Sequence, residues 1–188
     1  MEQNMNKTIW REAATGGLYL GLVYAALSMA AHFGKSLSGV ATLCNALCFF
    51  SIAGFLYFYS RRVAALSGSA GFSFGQCFLF TLRMSLFAGV LAGVGQFVLV
   101  NWLDPQGFRD QMDLTVATLA ENGMSEREVE AAGKLTMSMM KNPIVVVLGG
   151  VFGMVLYGGL IGLVVSFFAK RPADPFAEEN RDGRSGSL

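Results

Sequence analysis

The stretch from Asp104 to Asn142, DPQGFRDQMDLTVATLAENGMSEREVEAAGKLTMSMMKN, is the one long run in this chain that is rich in both charge signs, and it lies between two apolar runs. Four basic residues (Arg109, Arg127, Lys134, Lys141) stand against seven acidic ones, a net of −3. Its punctuation predicts two helices. Asp104 can cap free backbone amides and Pro105 suits a first helical position. Phe108, Met112, Val116 and Leu119 then recur at helical spacing, which draws one apolar stripe along a charged helix. Asn122–Gly123 is a stop signal. Ser125-Glu126-Arg127-Glu128 fits a capping box that opens a second helix through Val129, Ala132 and Leu135. Pro143 marks the junction with the next run.

Outward from this segment the chain is bilayer-like. Of its 188 residues 53% are hydrophobic and only 14% are charged, against about 25% in a soluble domain. The net charge of +1 is not gathered into a basic patch, which argues against a nucleic-acid partner. Ahead of the polar segment, Ala13 to Gly34 holds 22 residues without a formal charge, reaching ~33 Å as a helix at 1.5 Å per residue. A cleaved signal peptide is the rival reading, but its apolar region would run only about 7–15 residues, so a retained span is favoured. A second span follows over about 37–60, stopped by Arg61–Arg62 and ending in the aromatic belt Tyr57, Phe58, Tyr59. Within the uncharged run 63–82, AALSGSAGFSFG (64–75) is dense in glycine and serine and reads as a loop. A third span over about 75–103 carries Arg83 two turns in and Trp102 at its far end, and a fourth covers about 143–169 up to Lys170–Arg171. The tail, 173–188, is polar and aperiodic, the composition of a disordered cytoplasmic segment.

Lys and Arg near span ends decide orientation. Lys7, Arg11, Arg61, Arg62, Lys170 and Arg171 fall on one side; Lys35 and the net-negative 104–142 segment fall on the other. The expected fold is therefore all-α: an integral membrane four-helix bundle with both termini cytoplasmic and an extracytoplasmic helical hairpin between the third and fourth spans.

Arg83 is the one formal charge inside a span, a functional hypothesis by default. Near the cytoplasmic end it could equally snorkel to the headgroups on its long stem. Gln96 and Asn45 sit closest to mid-span and need partners in lipid, either another helix or a solute path. The pairs Gly17/Gly21, Gly89/Gly93, Gly149/Gly153 and Gly158/Gly162 have the spacing that lets helix backbones approach, within the bundle or between copies. Cys44 and Cys48 share a helix face, but the only histidine, His32, lies at the opposite end of the neighbouring span, so small apolar packing is the reading and no metal site is expected. Met137, Met139 and Met140 offer thioethers, and interfacial packing fits them better than soft-metal binding. The nucleophile-elbow, P-loop and zinc-protease motifs are absent. No catalytic or cofactor-binding residues are assigned. The residues singled out for interaction or packing are Arg83, Gln96, Asp104, Pro105, Phe108, Gly89 and Gly93.

Several stretches carry a resemblance: KTIWREAATGGLYLGL leading into the first span, SFGQCF entering the third, WLDPQGF leaving it and KNP entering the fourth. Over roughly residues 7 to 172 the chain resembles the small bacterial membrane proteins of the domain-of-unknown-function family numbered 4199. The resemblance implies a four-helix bacterial inner-membrane protein and brings no assigned activity. The leading expectation is a non-enzymatic accessory or interaction subunit whose partners are the lipid bilayer and a membrane protein or a second copy. An oligomeric transporter or channel component is the alternative, and a lipid-acting enzyme comes third because acid/base residues are scarce in the spans. The orientation is directly measurable. A reporter fused near Gly123 is expected to report an extracytoplasmic position, and a cytoplasmic signal there would overturn the topology.

Overall fold

The computed structural model describes residues 2–34, 37, 39–68, 71–121 and 123–172. Lys35, Ser69, Asn122 and the predicted disordered tail at 173–188 lie outside the described residues. Within them the chain is all-α: α1 Glu2–Phe33, α2 Val40–Leu66, α3 Phe74–Val98 extended by a π-helical turn Leu99–Leu103, α4 Pro105–Glu121, α5 Glu126–Lys141 and α6 Pro143–Ala169. Four stretches are long and apolar enough to cross a bilayer, namely Met5–Phe33, Val40–Leu66, Phe74–Leu103 and Pro143–Ala169. This is the helical architecture of a membrane protein.

Local chemistry sets the helix ends. Ser73 accepts from the Gln76 amide while Gln76 returns a bond to the Ser73 amide, a capping box at the start of α3. Asn142 accepts from the Ile144 amide and Pro143 takes the first position of α6. Two ends differ from expectation. α1 begins at Glu2, well before Ala13, and α2 runs on through Arg61–Arg62 to Leu66. The arginines do not stop α2 because both are held: Arg62 pairs with Glu12 of α1 at 3.3 Å, and Arg61 lies 5.9 Å from the Tyr57 ring centre. That lets Val63 and Ala64 bury against the core.

α3 is the central helix, packed along its length on α6 and α1, with α2 closing the other side against α1 and α6. Lipid tails are as apolar as leucine, so helices in a bilayer associate through close packing rather than a hydrophobic drive. Thr81, Ser85, Gly89 and Gly93 recur every four residues and form one small-residue seam for α6. Gly162 sits on Thr81 and Gly158 on Ser85, while a Cβ at Gly89 would lie 2.6 Å from Val151 Cα. Thr81 and Ser85 donate their hydroxyls to the Phe78 and Thr81 carbonyls, both at 2.8 Å, so neither leaves an unmet donor at the seam. Gly17 and Gly21 bring α1 onto Met84 and Ala88 of α3 in the same way.

The main buried cluster is weighted toward one end of the bundle. Leu56, Phe80 and Met84 lie toward the end that carries Arg61, Arg62 and Lys170, with Leu20 and Ile52 near the middle of their helices. That basic end is further closed by paired backbone bonds between Phe72 and Arg171, at 2.8 and 2.9 Å. Ser60 and Ser166 hydroxyls lie there beside the Cys77 thiol, a small buried polar cluster at the basic end.

The seam predicts a sharp contrast between glycines. Gly93→Ala would place a Cβ 2.6 Å from Val147 Cα, whereas Gly54→Ala on α2 meets nothing within 4 Å. Thermal unfolding in a mild detergent should show Gly93→Ala destabilised by about 1–3 kcal/mol and Gly54→Ala unchanged. Equal behaviour of the two variants would count against the seam.

Candidate functional site

At the other end the bundle is hollow. A cavity of about 480 Å³ opens between α1, α3 and α6, where α1 and α6 stand apart, and α5 leans over it. Tyr24 and Tyr157 line it. Ser28, Gln96 and Leu99 form a wall shared with a second cavity of about 220 Å³, whose other side is made by His32, Ala41 and Asn45. Thr136, Met139 and Met140 of α5 complete the larger cavity. Tyr24, Ser28 and His32 recur every four residues, so α1 presents a polar strip along the cavities.

Glycine makes the room. Gly149 and Gly153 line the larger cavity, and a Cβ added at either would meet nothing within 4 Å. They have the same spacing as Gly89/Gly93 but a different use: those two seat α6, these two leave space.

The hairpin is fastened to this end by a few polar contacts. His32 Nε2 lies 2.6 Å from Asp104 Oδ2. Asp104 also accepts from the Gly107 amide at 2.9 Å, capping α4, with Pro105 at the first helical position. The π turn before it carries the Asp104 amide back to the Leu99 carbonyl at 2.9 Å. Asn101 bridges the turn to α5, donating to the Phe97 carbonyl at 3.1 Å and to the Met140 carbonyl at 3.0 Å. Pro105 and Phe108 border a smaller cavity with Met137 and Met140. The stripe Phe108, Met112, Val116 and Leu119 is half-buried, and Val116 lies next to Gly133 of α5. The second helix thus covers part of it.

The Ser125 box closes in both directions: Ser125 Oγ and N donate to Glu128 Oε2 at 2.7 and 3.0 Å, and the Glu128 amide donates back. The Ser125 hydroxyl, then its amide, hold the Glu128 carboxyl below its ordinary range. A lowered folded value means that this support is present above the ordinary carboxylate range and fades as pH falls through the lowered one.

The residues singled out from sequence separate into three places. Gln96, Asp104, Pro105 and Phe108 gather at the hairpin end. Gly89 and Gly93 lie in the α3–α6 seam. Arg83 is at the basic end, its guanidinium 4.6 Å from the Trp10 ring centre, with Trp10 edge-on to Phe87. Cys44 and Cys48 are buried and free, and the described residues hold no group of three potential metal ligands. Sequence reasoning missed Glu12–Arg62, because the first span was started after Glu12. It also missed His32–Asp104, although span parity puts the ends of the first and third spans on one side.

Fold and site together define a membrane-spanning helical bundle with a half-hollow interior and a helical hairpin at its open end. The family model described as "Protein of unknown function (DUF4199)" covers residues 15–171, and the chain belongs to that family. No curated protein and no solved structure matches it.

The His32–Asp104 contact is testable by how α4 is held. Asp104→Ala removes the cap, about 1 kcal/mol, and the contact to His32, about 1.5–3 kcal/mol; His32→Ala removes only the second. Amide exchange in the first turn of α4 should therefore accelerate in both variants, and more in Asp104→Ala. Unchanged exchange in His32→Ala would show that the contact does not hold the hairpin.

Proposed function

We propose that the protein acts by binding, as a non-enzymatic accessory or interaction subunit of the bacterial inner membrane, multi-pass, with both termini cytoplasmic and the α4–α5 hairpin outside. The observation that carries this reading is the unequal packing of the two halves. The main buried cluster lies toward the basic end, and an open cavity lies at the other end beneath the hairpin. The hairpin presents apolar side chains outward, Leu114 at 70% and Leu135 at 62% exposure, more than a solvated hairpin needs. Its partner in this reading is another membrane protein.

An oligomeric transporter or channel component is the second reading, favoured by the cavity itself. It needs a route past Leu20, Ile52, Leu56 and Phe80, which are fully buried. Of the four glycine pairs that could join copies, Gly17/Gly21, Gly89/Gly93 and Gly158/Gly162 already seat helices within one chain, whereas Gly149/Gly153 seats none.

Affinity purification from native membranes tests the proposal, comparing wild type with a 106–141 deletion and with the double variant Leu114→Lys, Leu135→Lys, which leaves the bundle intact. One protein is expected to co-purify with wild type and to be lost from both variants. A homo-oligomer with an axial pore would move the assignment to the transporter reading, and a partner retained by both variants would remove the hairpin from the contact.

A further inference from the structure

We propose that the two adjoining cavities at the hairpin end form one site for a single-chain neutral lipid, with an uncharged hydroxyl-bearing head in the smaller cavity and the chain in the larger. This deepens the binding reading above, and rests on it, by naming what the hollow half holds.

Size and shape come first. The larger cavity, about 480 Å³, lies within the range of ligand sites, about 300–1,000 Å³. Along α6 its lining runs from Val145 to Tyr157, about 18 Å at 1.5 Å per residue. That is close to the depth of one leaflet, half of a hydrocarbon core of about 30 Å. The room is one chain wide because Gly149 and Gly153 carry no side chain on this side.

Polarity is segregated between the cavities in the manner of an amphiphile. Four of the seven residues lining the smaller one, Ser28, His32, Asn45 and Gln96, carry hydrogen-bonding side chains. The larger one is walled mainly by aliphatic and thioether groups, Met29, Met139, Met140, Val145 and Val146 among them, with Tyr24, Thr136 and Tyr157 as its own polar side chains. Gln96 and Ser28 lie on the shared wall, where head meets chain. In hydrocarbon such groups need partners, and a hydroxyl, which both donates and accepts, can satisfy a carboxamide and a serine together.

Charge selects the head. Among the described residues, no Asp, Glu, Lys or Arg lines either cavity. The one ionisable group among the head-cavity residues, His32, already faces Asp104 at 2.6 Å. A carboxylate or phosphate head would meet that aspartate and the net-negative segment beyond it. A cationic head would find the aspartate engaged. An uncharged head avoids both costs.

The test uses the full chain in phosphatidylcholine nanodiscs, labelled by a photoreactive monoacylglycerol in competition with 1-monooleoylglycerol or oleate. Saturable labelling of α6 within 145–157 is expected, displaced by 1-monooleoylglycerol at least tenfold more effectively than by oleate. Gly153→Leu fills the cavity and should cut labelling at least tenfold. Gly54→Leu, on α2 outside the lining, should leave it unchanged and controls for folding. Gln96→Leu should narrow the preference over oleate severalfold. Labelling that does not saturate, that survives Gly153→Leu, or that oleate displaces equally well would overturn the inference. Lipid labelling lost while a protein partner still co-purifies would sink this site alone. Labelling present with no partner captured would instead sink the accessory role.

Discussion

Backbone-to-backbone contact between α3 and α6 is the constraint on which the rest of this structure depends. In a bilayer there is little to gain from hiding one apolar helix against another, so what decides association is how closely the backbones can come. Thr81, Ser85, Gly89 and Gly93 give α3 a narrow ridge, and Gly150, Gly158 and Gly162 let α6 lie on it. With α6 fixed on one flank of α3, and α1 fixed on the other by Gly17 and Gly21, the positions of the remaining elements follow. α2 bridges α1 and α6 and reaches the core through Ile52, Leu56 and Val63.

The same arrangement explains why the two ends differ. Toward the basic end the residues between the seams are large, and Phe80, Leu20 and Met84 fill the interior. Toward the hairpin end α6 carries Gly149 and Gly153, α1 carries Tyr24 and Ser28, and the space between them is left open. The basic end is then locked by interactions that cross helices: Glu12 with Arg62, Arg83 over Trp10, and the Phe72–Arg171 bridge. The hairpin end has its own cross-helix ties, chiefly His32–Asp104 and Asn101 to the Met140 carbonyl. A closely packed end and a more open end in one bundle suit the proposed binding role.

Helix number, helix type and the two-helix nature of the 104–142 segment were legible in the sequence, because each rests on local physics. Uncharged runs long enough to cross hydrocarbon, Asp104–Pro105, the Ser125–Glu128 box and Asn142–Pro143 all act within a few residues of themselves. The continuation of α2 through Arg61–Arg62 was not legible, since what keeps those charges from ending the helix is Glu12, some fifty residues away, and the Tyr57 ring. For the same reason Thr81 and Ser85 gave no sign of belonging to the α6 seam: a hydroxyl that bonds its own helix counts as small only once a partner glycine is seen against it.

The sequence by itself determined that this chain is a membrane-spanning helical protein with a capped helical pair between its last two spans, because hydropathy, length and capping are properties of contiguous residues. Only the tertiary structure decided that Gly89/Gly93 and Gly149/Gly153, identical in spacing, do opposite things. It also decided that Ser28, His32, Asn45 and Gln96, scattered over three helices, face one space. Spacing fixes which side of a helix a residue occupies. What stands opposite that side is set by how the helices cross, and here the α3–α6 seam sets it.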